Sequence, residues 1–328
     1  MRGTSWIRRQ DLQDPLLNRM LLERGLDDVP FFARRLKARE EHMQRWRDLA
    51  PLRDGPVAET RVEAGDPAAM AEAIKAKVLA LGADQAGITT LSPDLIEIDR
   101  DLDHTFAIGI IVKETYAKVL EGPDAVDVEA FRVYARCAEI VTELARHIRE
   151  DLGYPARAHH NGGTEIQALP TLYRAGFGEL GKHGSLINPR FGASWRPGFV
   201  TTDLPLAVDA PIEIGVQDYC MTCRLCSTAC PGDAVADSED YIVTDGIKRW
   251  LIDTEKCYPV SRLRPEYCHI CVDVCPYIHK ENGSAETKSI FKSFVQARKA
   301  AGFDKPKAGA AESDPALAGS KREVDTRV

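Results

Sequence analysis

Residues 220–235 read CMTCRLCSTACPGDAV, four cysteines within eleven positions closed by a proline. Cys-x2-Cys-x2-Cys-x3-Cys-Pro is the ligand run of a bacterial-type iron–sulfur cluster, whose fourth thiolate usually serves the neighbouring cluster. A partner run follows. Cys257 is succeeded by Cys268, Cys271 and Cys275 in CHICVDVCPY, which again contains Cys-Pro. Crossover pairing gives one cluster Cys220, Cys223, Cys226 and Cys275, and the other Cys230, Cys257, Cys268 and Cys271. The ten residues between Cys257 and Cys268 make a long gap, but cluster chemistry only needs the thiolates to converge. Scattered core cysteines or a zinc ribbon are the competing readings, and the doubled spacing argues against both. Cys137, the ninth cysteine, stands alone and reads as a packed helix residue. Two clusters occupy only part of 328 residues, so the remainder must hold whatever the electrons reach.

Composition narrows that remainder. The formal charge is −7, from 43 basic and 50 acidic residues, so no nucleic-acid partner is expected. No stretch approaches the roughly eighteen apolar residues of a transmembrane helix, so no membrane span is expected. The pair Arg8-Arg9 has no apolar run after it, which argues against a twin-arginine export signal and for a cytoplasmic location. In that reducing compartment nine cysteines favour metal over disulfides.

Four regions are expected along the chain. Residues 1–60 form a polar arm, with a charged helix around FFARRLKAREEHMQRWRDLA, read as solvated or as a homodimer contact. Residues 61–208 hold the larger folded core. There Asp66 can cap a helix, Pro67 suits its first turn, Met70, Ile74, Val78 and Leu81 share a face, and Gly82 ends it. QAGIT and FAIGIIV (106–112) read as buried strands. A second helix, DVEAFRVYARCAEIVTELARHIREDLGY, places Phe131, Tyr134, Ala138, Val141, Ala145 and Ile148 on an inner face. Strands alternating with helices indicate an α/β or α+β core. From 155 to 208 the chain is rich in Gly, Pro and Asn and reads as loops lining a pocket. Residues 209–284 hold the clusters, and 285–328 a helix followed by a disordered tail.

RAGFGELGKHGSLINPRFGASWRPGFVTTDLPL, which runs into the cysteines, resembles a segment of the cobalamin-dependent reductive dehalogenases. That family carries AGLGELGR-x-G…I-x-P-x-[YF]-G…R…TDLPL just before its clusters. LGADQAGIT, the series from Tyr134 to Asn161 and GIKRWLIDTEKC also have counterparts in order, so the resemblance covers about residues 65–284. Epoxyqueuosine reductase is the sister family. It typically has Trp-Ile-Gly where this chain has Glu179-Leu180-Gly181, so the dehalogenase side fits better.

The resemblance implies an α+β chain: a nitroreductase-like cobalamin-binding core followed by a bacterial ferredoxin-like domain with two [4Fe-4S] clusters. The corrinoid would be held base-off, with Gly178, Gly181, Lys182, His183 and Gly184 as its contacts. The family's proton-donating tyrosine matches Tyr134, its basic residue matches Arg196, and a substrate-binding asparagine corresponds to Asn161. Without the family, Tyr134 reads as a core tyrosine, Arg196 as a partner for an acid, and Asn161 before Gly162-Gly163 as a turn residue. The chain departs from the family in being shorter, in placing His159 and His160 where small residues are usual, and in YPVSRLRPEY after Cys257. The histidine pair suits hydrogen bonding to a polar substrate.

Replacing carbon–halogen by carbon–hydrogen consumes two electrons and one proton. Clusters pass single electrons, and cobalt supplies a two-electron reductant, leaving orientation and the proton to the protein. A cation beside a tyrosine favours its phenolate and eases proton delivery. The expected partners are a small organic substrate and an electron donor such as ferredoxin, flavodoxin or a reductase. Two other functions compete: carbon–oxygen cleavage of the epoxyqueuosine reductase type, and electron transfer to a corrinoid elsewhere without a substrate of its own.

Overall fold

A computed structural model of the chain describes residues 23, 39–97, 100–261, 266–279 and 285–300. Most of the expected N-terminal arm and the tail beyond 300 lie outside the described residues.

The described chain begins with helix α1 (Glu40–Leu49) and continues to α2 (Pro67–Ala80). Asp66 caps α2 by accepting from the backbone N–H groups of Ala68 and Ala69, and Gly82, at φ +101°, turns the chain out of it. Strands β1 (Gln85–Thr90) and β2 (Phe106–Lys113) pair antiparallel. Helix α3 (Pro123–Glu150) then crosses the sheet, followed by β3 (Ala156–His159) and α4 (Ala168–Arg174). A short hairpin, β4 (Glu179–Leu180) and β5 (Leu186–Ile187), precedes β6 (Trp195–Thr202).

The sheet order is β1-β2-β6-β3, antiparallel throughout. Alternation along β2 sorts its side chains: Ile108 and Ile110 join α2 and α3 on one face, while Ala107 and Ile111 join Leu172 of α4 and Phe177 on the other. The fold is α+β, as expected.

Strand β6 falls within the region read as loops. Its centre, Pro197-Gly198, carries the two residues that usually argue against a strand. The sheet accommodates both. Pro197 lies beyond the end of β3, so the strand has a neighbour on one side only there. Gly198 passes under α3, where an added Cβ would come within 2.8 Å of Val141 Cγ1.

Helix α3 buries two faces rather than one. Val133, Cys137, Val141 and Leu144 meet the sheet, whereas Phe131, Ala135 and Ala138 meet Met43 and Trp46 of α1. Residues 40–49 are therefore packed and not simply solvated. Trp46 is 4% exposed, and a buried ion pair of 2.6 Å between Arg39 and Asp127 fastens the start of α1 to α3.

The cysteine-rich part is built of short helices: α5 (Val216–Thr222), α6 (Leu225–Ala229), α7 (Thr254–Ser261) and α8 (Ile270–Asp273). A hairpin of β7 (Ile242–Thr244) and β8 (Ile247–Arg249) lies between α6 and α7, and α9 (Ala285–Ala300) closes the described chain. Ile187 of β5 packs with Trp250, Cys220 and Cys275, so the β4–β5 hairpin is the seam between the sheet and the cysteines.

Candidate functional site

A cavity of about 660 Å³ opens beside the β3–β6 end of the sheet. Trp46 and Tyr134 wall one side, Ile166, Pro197 and Phe199 supply apolar surface, and His160 and Asn161 stand on the loop leaving β3. Tyr134 is half-buried, edge-on to Trp46 with ring centres 6.2 Å apart. No described residue hydrogen-bonds its hydroxyl.

Beneath that ring lies Arg196, from the start of β6, with its guanidinium carbon 5.1 Å from the ring centre. One guanidinium nitrogen, Nη2, meets three groups. It is 2.7 Å from Glu114 Oε1, 3.1 Å from the Tyr267 hydroxyl and 3.1 Å from His269 Nε2. The Glu114 contact is a close ion pair whose angle falls outside a directed hydrogen bond, since Glu114 Oε1 has no hydrogen-bond partner by geometry. Burial works against the Arg196 charge, and the Glu114 carboxylate outweighs it, keeping the guanidinium above the ordinary arginine range. Arginine only donates, so His269 Nε2 accepts and Nδ1–H donates to Asp273 Oδ1 at 2.8 Å. Burial pushes the Asp273 carboxyl up, with His269 opposing. Arg196 therefore does pair with an acid, while also lying under Tyr134. Glu114, Tyr267 and His269 were not legible as site residues. The position of Glu114 one residue past β2 was the only local signal.

The histidine pair divides. His159, fully buried, lies 2.9 Å from Glu165 Oε2 through Nδ1 and 2.9 Å from Thr201 Oγ1 through Nε2, so both its nitrogens are engaged. Burial favours the neutral Glu165 carboxyl, but His159 and Arg53 outweigh it and hold the group at about 2. His160 is 5% exposed, and its Nδ1 accepts from the Gly162 N–H at 2.9 Å. Its proton therefore sits on Nε2, which has no partner. Burial, with Arg53 adding, depresses His160 to about 4, so it is a neutral donor at neutral pH. Asn161 is exposed at the tip of the turn closed by reciprocal backbone bonds between His160 and Gly163.

The expected corrinoid contacts lie on the seam. An added Cβ would meet Ile187 O at Gly178, Ile187 Cδ1 at Gly181 and Ile252 Cγ1 at Gly184. These glycines permit close packing there. His183 is buried with Cys220, Cys223, Cys226 and Cys275 around a small void, and its Nε2 is unpartnered. Lys182 is fully buried, with Nζ 3.4 Å from Met221 O.

The void brings together the first crossover set of four cysteines. Burial raises the Cys271 thiol well above the ordinary range, and Cys268, Cys230 and Cys257 of its own set, together with Cys226 of the first, add to the rise. Burial likewise pushes Cys226 to about 12 and Cys268 to about 11. Such buried, mutually opposed thiols fit a polynuclear cationic centre, because iron supplies the positive charge that thiolates would need. Among the described residues, no group of three or more His, Cys, Asp or Glu has the arrangement for one bound metal ion. No helix among them is long and apolar enough to cross a membrane. Cys137 is buried, donates to Arg196 O at 3.2 Å, and is held far up by burial.

Residues 219–278 match the family described as 4Fe-4S dicluster domain. Tetrachloroethene reductive dehalogenase of Desulfitobacterium hafniense is 31% identical over 181 residues, covering 52% of this chain and 32% of that protein. Epoxyqueuosine reductase of Leadbetterella byssophila is 33% identical over 120 residues, covering 32% of this chain and 34% of that one. A solved reductive dehalogenase, described as suggesting a mechanism for B12-dependent dehalogenation, superposes with a TM-score of 0.66 at 29% identity. That match covers 78% of this chain and 40% of the other. The chain thus has reductive dehalogenases and epoxyqueuosine reductase as relatives, and it spans about a third of the length of these curated proteins.

Proposed function

We propose that this chain is an iron–sulfur and cobalamin-dependent reductase that removes halogen from a small organic molecule, consuming two electrons and one proton and releasing halide. The observation that carries the reading is the unengaged hydroxyl of Tyr134, which lines the cavity and whose ring lies over Arg196, itself tied through His269 to the second cysteine run. Dehalogenase relatives and the B12-dependent structural neighbour support the reaction class.

The eight cysteines would hold two [4Fe-4S] clusters, in the sets Cys220/223/226/275 and Cys230/257/268/271. A corrinoid is a flat macrocycle fringed with amides. The apolar surface of Ile166, Pro197 and Phe199 and the unpartnered Nε2–H of His160 fit such a group in kind. These residues would hold it base-off, with Asn161 at the rim. When bound, a corrinoid supplies the two-electron reductant that single clusters lack.

The chain's own residues do the rest. Tyr134 holds a proton at its hydroxyl, facing the cavity rather than a protein acceptor. Arg196 lies under the ring and holds its plane through a cation–π contact. Glu114, Tyr267 and His269 fix the guanidinium so that it does not turn into the cavity. Trp46 covers the ring and restricts water. His160 donates to an acceptor on substrate or cofactor, which favours halogenated molecules carrying an oxygen. A cytoplasmic ferredoxin, flavodoxin or reductase would deliver the electrons.

The test is anaerobic reconstitution with iron, sulfide and cobalamin, followed by halide release from brominated and chlorinated phenols under a chemical reductant. Retained corrinoid with stoichiometric halide is the expected result. Corrinoid lost on desalting in both redox states would favour the electron-transfer reading. Retained corrinoid without halide release would move the reaction toward carbon–oxygen cleavage.

A further inference from the structure

Lys182 is a cation in an unusual place. It lies just after β4, is fully buried, and ranks among the largest side chains with no solvent exposure. Burying an ammonium costs several kcal/mol, on the order of what a well-placed anion returns. No carboxylate among the described residues lies within ion-pair distance of it. The nearest polar contact is weak, 3.4 Å to the backbone carbonyl of Met221, and the ring centre of Trp250 lies 5.8 Å away. Glu179, three residues past the left-handed turn at Gly176, spends one oxygen on the backbone N–H groups of Ile214 and Val216.

What lies beside Lys182 instead is the first cysteine run. Met221 sits between the ligand positions Cys220 and Cys223, and the Lys182 charge bears on both Cys220 and Cys226. The Lys182 side chain thus ends against the backbone of the first cysteine run, between the positions of Cys220 and Cys223. Its place in the β4–β5 hairpin puts it on the seam between the sheet and the cysteines.

We infer that Lys182 is the counter-charge of the Cys220/223/226/275 cluster and raises that cluster's reduction potential relative to its neighbour. The inference rests on the cluster part of the proposed function and not on the halide chemistry. Gaining one electron makes a thiolate-ligated cluster more negative, and a buried cation stabilises that form selectively. Net charge, burial and hydrogen bonds to sulfur are the terms that set such potentials. The cluster facing the sheet would then be the lower-energy resting place for an electron arriving through the other.

The test is a potentiometric titration of the reconstituted protein, followed by electron paramagnetic resonance, with iron content measured first. Lys182→Met removes the charge at similar volume and should shift one cluster to a more negative midpoint by about 59 mV or more, a tenfold change in a one-electron equilibrium. The other cluster should keep its midpoint, and Lys182→Arg should titrate close to the unmodified protein. If Lys182→Met fails to retain iron, Lys182→Gln keeps a donor toward Met221 O without charge and decides the matter. Unchanged midpoints in an iron-replete, uncharged variant overturn the inference. Absence of any cluster signal in the unmodified protein overturns the cluster reading itself and this inference with it, and a missing halide activity touches neither.

Discussion

The Arg196 guanidinium carbon lies 5.1 Å from the centre of the Tyr134 ring, so the cation faces the ring while the hydroxyl stays clear of it. A cation over an aromatic face is held by the ring as a whole and not by the hydroxyl. Tyr134→Phe therefore keeps the stacking and removes only the acidic hydrogen. Iron and corrinoid content should survive, and halide release should fall about 100-fold or more, the scale of a positioned proton transfer. Turnover of the Phe variant at matched corrinoid loading checks this. Near-unmodified activity would make Tyr134 a packing residue.

Removing Arg196 should cost stability as well as rate. Glu114 is left buried, with a 4% exposed side chain, and loses its cation. Breaking a buried pair by deleting one partner typically costs about 3–5 kcal/mol, mostly as the stranded charge. Arg196→Ala should show that loss in denaturant unfolding, and adding Glu114→Gln should recover part of it. Additive losses in the double variant would count against the pair.

How much of this was readable beforehand depended on whether the information was local. Asp66, Pro67 and Gly82 announce the start and end of α2 because capping is settled within a few residues. Cysteine spacing announces the clusters because iron–sulfur ligation fixes the intervals between ligands. The central strand β6 was not legible, since Pro197 and Gly198 break every local rule for strands. Only the end of β3 and the closeness of α3 explain them. Glu114 is 82 residues from Arg196 and His269 is 73, so nothing in either neighbourhood announces their meeting. The two apolar faces of α3 were read as one because the second exists only once α1 covers it.

The cavity should carry an acid sensitivity of its own. His160 titrates at about 4 in the folded chain, against an ordinary value of 6.5, with Arg53 and His159 facing it. Between those values the unfolded chain binds a proton that the folded chain refuses, so stability rises with pH there. The contribution is complete above 6.5 and is lost as pH falls toward 4, by about 3 kcal/mol for a shift of that size. His159, also depressed chiefly by burial, acts in the same direction. Urea unfolding at pH 7 and pH 5 should show the loss, and His160→Gln should flatten the slope. An unchanged slope would mean that His160 is charged in the fold.

Gly198 offers the sharpest packing test, because it joins the strand that carries Arg196 to the helix that carries Tyr134. An added Cβ would stand 2.8 Å from Val141 Cγ1 and 3.4 Å from Cys137 Cβ. Val141 is fully buried and β-branched, so its methyl cannot swing aside as a long side chain would. Helix and strand must therefore separate by a few tenths of an ångström. Overpacking of this kind costs about 1–3 kcal/mol. Gly198→Ala should lower the unfolding midpoint accordingly, and Val141→Ala in the same chain should restore part of it by vacating the contested space. The same separation would widen the gap between Arg196 and Tyr134, so the single variant should also lose turnover at matched corrinoid loading. Full activity alongside lowered stability would show that the Tyr134–Arg196 geometry tolerates the shift.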